Sequence, residues 1–195
     1  MGGMSVAVRK NWSQEQFFAW AEGREGRYEF DGSQPVAMTG GTVNHAIIMR
    51  NVHRALDARL RGTRCQALGP DVGLATEAGA IRYPDALVTC GKLNGTDRTV
   101  PDVVVVFEIV SASSGRVDRI VKVREYAAVA SMRRYVIIES VTSGLLVLHR
   151  RGGGEPWIAL ALTGEDLLEL PEVDIQIPVA AFYEGVDFSG SGAEE

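Results

Sequence analysis

Residues Val103 to Val110 read VVVVFEIV, an apolar stretch interrupted only by Glu108. A strand with one face in water alternates apolar and polar side chains, whereas a strand covered on both faces does not. The run therefore predicts a central strand with a layer packed on each side. Glu108 is the anomaly within it. An ionised carboxylate on a buried ribbon loses hydration worth several kcal/mol unless it is paired, hydrogen-bonded or coordinated to a cation.

A second acid, Asp85, follows Pro84 in IRYPDALVTC. The proline keeps Tyr83 extended and removes a backbone donor at the strand edge. Asp85 reads either as a turn cap after the proline or as a metal ligand. Mg²⁺ and Mn²⁺ prefer oxygen donors and retain water, so Asp85, Glu108 and a backbone carbonyl such as that of Ile109 suffice to hold one. Lys122 lies fourteen residues beyond Glu108 and completes an Asp, Glu, Lys set suited to metal-dependent phosphodiester hydrolysis. Spacing alone leaves open a plainer role for Lys122, an i,i+4 ion pair with Asp118.

Glu29 in RYEFD and His45 at the start of the longest helix are supporting candidates. Glu29 alternates with Tyr28 and Phe30, which is also compatible with a solvated position. His45 reads as a phosphate contact, a proton shuttle or a helix cap. Ser111, Ser113 and Ser114 fit hydrogen bonding to phosphate oxygens and fit a plain turn equally well.

Along the chain, Ser13 to Gln16 forms an S-x-x-Q capping box that predicts a helix over 14–23. RYEF, Asp31-Gly32 and SQPVAM predict a hairpin whose second strand is an edge because of Pro35. Apolar residues from Asn44 to Leu60 recur at helical spacing. RCQALG, DVGLATE, ALVTC and VVVVFEIV read as strands, followed by a helix from an Asp118 N-cap to about Ala130 with Ile120, Val123, Ala127 and Ala130 on its core stripe. Lys122 falls off that stripe, near Arg119 and Tyr126. RYVIIES, GLLVLHR, WIALAL and VDIQIP are further strands. This order predicts an α/β fold, a mixed β-sheet flanked by helices with additional antiparallel strands, containing a strand–helix–strand crossover over 103–139.

At 195 residues and 46% hydrophobic the chain suits one domain, expected over 12–186 between flexible ends at 1–11 and 187–195. No apolar run reaches membrane-spanning length and the start lacks a signal peptide, so a cytoplasmic location and no membrane partner are expected. Cys65 and Cys90 have no CxxC spacing and read as small buried hydrophobes rather than a disulfide. The net charge of −5 argues against coating nucleic acid by bulk electrostatics. Arginines nonetheless cluster over 50–64 and 116–134, as solvated helix faces or as phosphate contacts.

Taken together, YEFDG at 28–32, His45, YPDALV at 83–88, FEIVSASS at 107–114, DRIVKVREY at 118–126 and SMRRYVIIES at 131–140 resemble the Uma family of putative restriction endonucleases, a bacterial group of PD-(D/E)XK nuclease-like domains. The resemblance spans roughly residues 12–150. It implies a restriction-endonuclease-like fold in which Asp85 and Glu108 hold Mg²⁺ or Mn²⁺ and Glu29 is a further acid near the site. The usual lysine position, two residues after the second acid, is Val110 here, and the resemblance moves that role to Lys122. Ala112 stands where the family commonly has proline. The implied activity is metal-dependent endonucleolytic hydrolysis of DNA. The alternative is an inactive nuclease-fold module for nucleic-acid binding or protein interaction. Cutting both strands of a duplex suits a homodimer, for which pairing of exposed strands such as GLLVLHR offers an interface.

Overall fold

The 103–110 run lies inside a six-stranded sheet, as its lack of alternation requires. The computed structural model describes residues 12–111 and 116–189, with side chains described from Arg119 onward in the second stretch. The expected flexible segment 1–11, most of the expected tail, Ser113, Ser114 and the capping role of Asp118 lie outside the described residues. The elements are α1 (Gln14–Ala21), β1 (Tyr28–Phe30), β2 (Pro35–Ala37), α2 (Val43–Leu60), β3 (Gln66–Leu68), β4 (Leu74–Ala75), β5 (Ile81–Arg82), β6 (Ala86–Thr89) and β7 (Val103–Val110), followed by α3 (Arg116–Ala128), β8 (Arg134–Glu139), β9 (Gly144–His149), β10 (Ile158–Thr163), β11 (Leu167–Leu170) and β12 (Ile175–Pro178).

The main sheet runs β10-β9-β8-β7-β6-β3. β7 pairs parallel with β8 through the α3 crossover and antiparallel with β6. Val105, Phe107 and Ile109 point to a core shared with Ile48, Val52 and Leu56 of α2. Val106 and Val110 point the other way, to Tyr126 of α3 and to Met132. Burying each such apolar side chain stabilises the fold by about 1.5–3 kcal/mol. Glu108 shares the strand parity of Val106 and Val110, so its side chain is delivered to the α3 side.

A smaller sheet, β2-β1-β5-β4, carries Glu29 and Arg82. Phe17 of α1 stacks on Phe30 of β1 at 5.3 Å between ring centroids, and the Ser13–Gln16 capping box starts that helix as expected. Pro35 lies on the edge strand, again as expected. β5 is too short for local pattern to announce, and DVGLATE contributes only the two-residue β4. β11 is a further strand beyond those expected, and VDIQIP pairs with it in a separate hairpin rather than joining the main sheet.

Three expectations are corrected. On α3, Ile120 is 58% exposed and Tyr126 is fully buried, and Ala130 lies exposed beyond the helix, which ends at Ala128. The face turned to the sheet thus includes Lys122 and Tyr126, because buried carboxylates there require positive and hydrogen-bonding partners that apolar groups cannot supply. Cys65 and Cys90 form a disulfide. The antiparallel register Gln66↔Thr89, extended by one residue, places them opposite each other just before β3 and just after β6, a proximity set by non-local pairing and invisible in linear spacing. GLLVLHR supplies β9, which is interior to the sheet, whereas the edges are β10 and β3.

The C-terminal end of α3 is fastened by Arg150. Its guanidinium donates to the carbonyls of Met132 at 2.9 Å, Ala127 at 2.5 Å and Val129 at 2.6 Å, satisfying acceptors that a helix end leaves unpaired.

Candidate active site

Asp85 directly precedes β6, and the register Ala86↔Phe107 extended by one residue sets it across from Glu108. Its Oδ2 accepts the Ile109 backbone N–H at 2.7 Å, and its Oδ1 lies 3.2 Å from His45 Nε2. Its own backbone carbonyl is 3.0 Å from His53 Nε2. Asp85 is therefore held by the neighbouring strand and by two histidines of α2, two turns apart on one helix face.

His45 occupies the first turn of α2, where Thr42 Oγ1 caps the helix by accepting the His45 N–H at 3.2 Å. A Cβ at Gly41 would sit 2.6 Å from His45 Cγ, so the glycine leaves room for the imidazole to reach Asp85. The hydrogen bond to Asp85 raises the His45 pKa; burial opposes this, and the charges of Asp85 and Glu108 reinforce it.

Glu108 is buried and meets two groups. Lys122 Nζ lies 3.2 and 3.3 Å from its two oxygens, and the Tyr126 hydroxyl donates to Oε1 at 2.8 Å. Burial pushes the Glu108 carboxyl up to about 7, with Lys122 pulling down, Asp85 and Glu29 pushing further up, and Tyr126 pulling down. Removing the phenol should therefore move this titration upward. In ¹³C-carboxyl NMR, Tyr126→Phe is expected to raise the Glu108 midpoint, and an unmoved midpoint would show that the hydroxyl does not act on the ionised carboxylate.

Glu29 is 7% exposed, not solvated. Its Oε1 accepts the Tyr83 N–H at 3.1 Å and lies 3.6 Å from Lys122 Nζ. Its Oε2 accepts from Arg82 Nη1 at 3.0 Å. Arg82, 4% exposed, also donates Nε and Nη2 to Glu125 of α3 at 2.7 and 2.8 Å. Burial works against the Arg82 charge, but hydrogen bonds and attraction from Glu125 and Glu29 outweigh it and raise its pKa. A continuous chain of charges thus runs Glu125, Arg82, Glu29, Lys122, Glu108 and binds α3 to both sheets.

Glu29, His45, Asp85, Glu108, Ile109 and Lys122 all line one cavity of about 640 Å³. The sequence-derived site residues therefore meet in one place, although they come from β1, α2, β7, α3 and the approach to β6. Arg82, Tyr126 and His53, outside the cavity lining, bond to Glu29, Glu108 and Asp85 without having been singled out by sequence. Tyr126 is discoverable, since it follows Lys122 by four residues and so shares its helix face. Arg82 carries a fainter signal, a charged residue beside Ile81 at the end of a short apolar segment.

Asp85, just before β6, and Glu108, on the adjacent β7, are hard oxygen donors and suit a hard divalent cation. Among the described residues, no group of three or more His, Cys, Asp or Glu is spaced to hold a metal. A cation here would thus depend on two carboxylates supplemented by backbone oxygen and water, which is acceptable to Mg²⁺ or Mn²⁺. The residues present fit such an ion.

Comparison with known proteins agrees with this architecture. A crystal structure of a putative nuclease belonging to DUF820 from Anabaena variabilis superposes with a TM-score of 0.69 at 11% identity, covering 89% of this chain and 98% of that one. At that identity the likeness is one of fold. An uncharacterized protein of Synechocystis, slr1290, is 27% identical over 180 residues, covering 90% of this chain and 93% of the relative. The model of the Uma2 family, described as putative restriction endonuclease, matches residues 14–180. That match begins at the first residue of α1 and continues past β12, enclosing every element that delivers a residue to the cavity, and the chain belongs to the Uma2 family of putative restriction endonucleases.

Proposed function

We propose that this protein is a Mg²⁺- or Mn²⁺-dependent endonuclease that hydrolyses phosphodiester bonds in DNA. The observation that carries this reading is the arrangement of Asp85, Glu108 and Lys122 in one cavity, with Lys122 Nζ 3.2 Å from a Glu108 oxygen. Asp85, Glu108 and the Ile109 carbonyl would hold the cation. When bound, such an ion supplies Lewis acidity toward a phosphoryl oxygen and a lowered pKa for water.

The remaining chemistry belongs to the side chains. Lys122 offers a compact, partly buried positive charge to the phosphate oxygens, on which negative charge accumulates as water adds to phosphorus and the bond to the leaving sugar oxygen breaks. Its hydrogen bonds to Glu108 and its proximity to Glu29 fix the ammonium in place before substrate arrives, which reduces the reorganisation needed during reaction. His45 and the Ile109 N–H orient Asp85. Tyr126 orients Glu108.

Cation binding tests the ligand set without requiring a substrate. In calorimetric titration with Mn²⁺, the wild-type chain should bind and Asp85→Ala should lose that binding. Equal Mn²⁺ affinity in the two proteins would remove Asp85 from the site.

A further inference from the structure

We propose that Arg119 is a phosphate-binding residue of this cavity, gripping a backbone phosphate of the nucleic acid through the Nε edge of its guanidinium. The inference rests on the endonuclease reading and extends it to how the substrate strand is held. Arg119 precedes Lys122 by three residues on α3, which places the two on one helix face, and both line the cavity containing Asp85 and Glu108.

Its hydrogen bonding sets it apart from the buried arginines that serve the architecture. Arg82 uses its Nε and Nη2 edge on Glu125 at 2.7 and 2.8 Å. Arg134 uses the same edge on Glu172 at 2.8 and 3.2 Å. That edge is the planar fork that matches a carboxylate or phosphate with two parallel bonds. Arg119 instead reaches Glu139 with Nη1 alone, at a long 3.4 Å, and both side chains are about one-third exposed. An ion pair of that kind contributes little.

Its Nε is buried and has no hydrogen-bond acceptor among the described residues, the sole buried side-chain nitrogen or oxygen among them in that condition. A buried donor without a partner is costly and uncommon in folded proteins. Here the donor belongs to a side chain lining a cavity that already contains an ammonium. Because that Nε is closed to solvent in this rotamer, the guanidinium must turn about its stem, held only by the single long bond to Glu139, for an anion to satisfy it; a phosphodiester offers the two acceptor oxygens the fork requires.

The test is fluorescence-anisotropy binding of a labelled oligonucleotide in EDTA over a series of salt concentrations, using wild type, Arg119→Ala and Arg119→Lys. Arg119→Ala is expected to bind roughly tenfold more weakly and to reduce the slope of log affinity against log salt by about one. Arg119→Lys should restore the slope, which counts charge, but only part of the affinity, because an ammonium lacks the fork. Melting curves without DNA should be close to wild type for both variants. Unchanged affinity and slope in Arg119→Ala, with or without a lowered melting temperature, would overturn the proposal and reduce Arg119 to a partner of Glu139. Cleavage measured in parallel separates the two readings. Arg119-dependent binding without cleavage contradicts the nuclease and keeps the phosphate contact, whereas cleavage with Arg119-independent binding does the reverse. A wild-type chain that neither binds nor cuts contradicts both.

Discussion

Lys122→Met is expected to lower the rate of DNA cleavage by about 10²- to 10³-fold, the loss typical when one preorganised group that stabilises developing charge is removed. Methionine preserves much of the stem and removes the ammonium. The loss should appear in kcat more than in KM, because the charge on the phosphate oxygens grows between ground state and transition state. The same substitution removes the cation that stands between Glu108 and Glu29. In metal-free buffer the variant should therefore melt below wild type, and Mn²⁺ should raise its melting temperature more than it raises that of wild type. Single-turnover kinetics and thermal melts with and without Mn²⁺ check both statements. A variant that cuts at the wild-type rate would place Lys122 in the architecture and outside the chemistry.

Arg82→Met is expected to produce the largest loss of stability, about 3–5 kcal/mol. Arg82 makes three hydrogen bonds, to Glu29 and to both oxygens of Glu125, and its side chain is 5% exposed. Truncating it leaves Glu125 without its ion-pair partner and Glu29 with only Lys122, at 3.6 Å, among the described residues. For a chain of this size the loss corresponds to a fall in melting temperature of roughly 6–20 °C. The penalty arises from the uncompensated charges rather than from lost contact area, so adding Glu29→Gln and Glu125→Gln should recover a substantial part of it. A fall below about 2 °C in the single variant, well under the range expected for a broken buried pair, would show that the charge chain is solvated in solution. Such a result would also loosen the reasoning for Lys122, since Glu29 and α3 position both.

Much of this site is legible in the amino-acid sequence. The uninterrupted 103–110 run specifies a buried central strand, and a glutamate within it requires partners, so Glu108 is marked by an energetic conflict rather than by a motif. Asp85 and Lys122 follow from the chemistry such a carboxylate needs and from the family resemblance. The parts that sequence misplaces share one cause, which is dependence on non-local pairing. Glu29 is left open between the site and solvent because strand alternation does not say which face is covered, and the cover comes from Arg82 on a two-residue strand that local pattern cannot detect. Hydropathy assigns the α3 stripe to Ile120, which is exposed, because that scale treats Lys122 as solvent-seeking; in the fold, Glu108 and Glu29 make the inward position favourable for the ammonium. The Cys65–Cys90 bond follows from the β3–β6 register. The same holds for the sheet edge: β9 and β10 are both apolar, and their order in the sheet decides that β10 is outermost.

The most direct measurement of the central claim is cleavage of supercoiled, single-stranded and branched DNA by the purified chain in Mg²⁺ or Mn²⁺, beside EDTA and beside Glu108→Gln. Cutting of at least one of these substrates by wild type in the presence of metal, abolished by EDTA and by Glu108→Gln while the variant remains folded, is the predicted result. Intact DNA in every lane, or cutting that persists in both EDTA and Glu108→Gln, would contradict it.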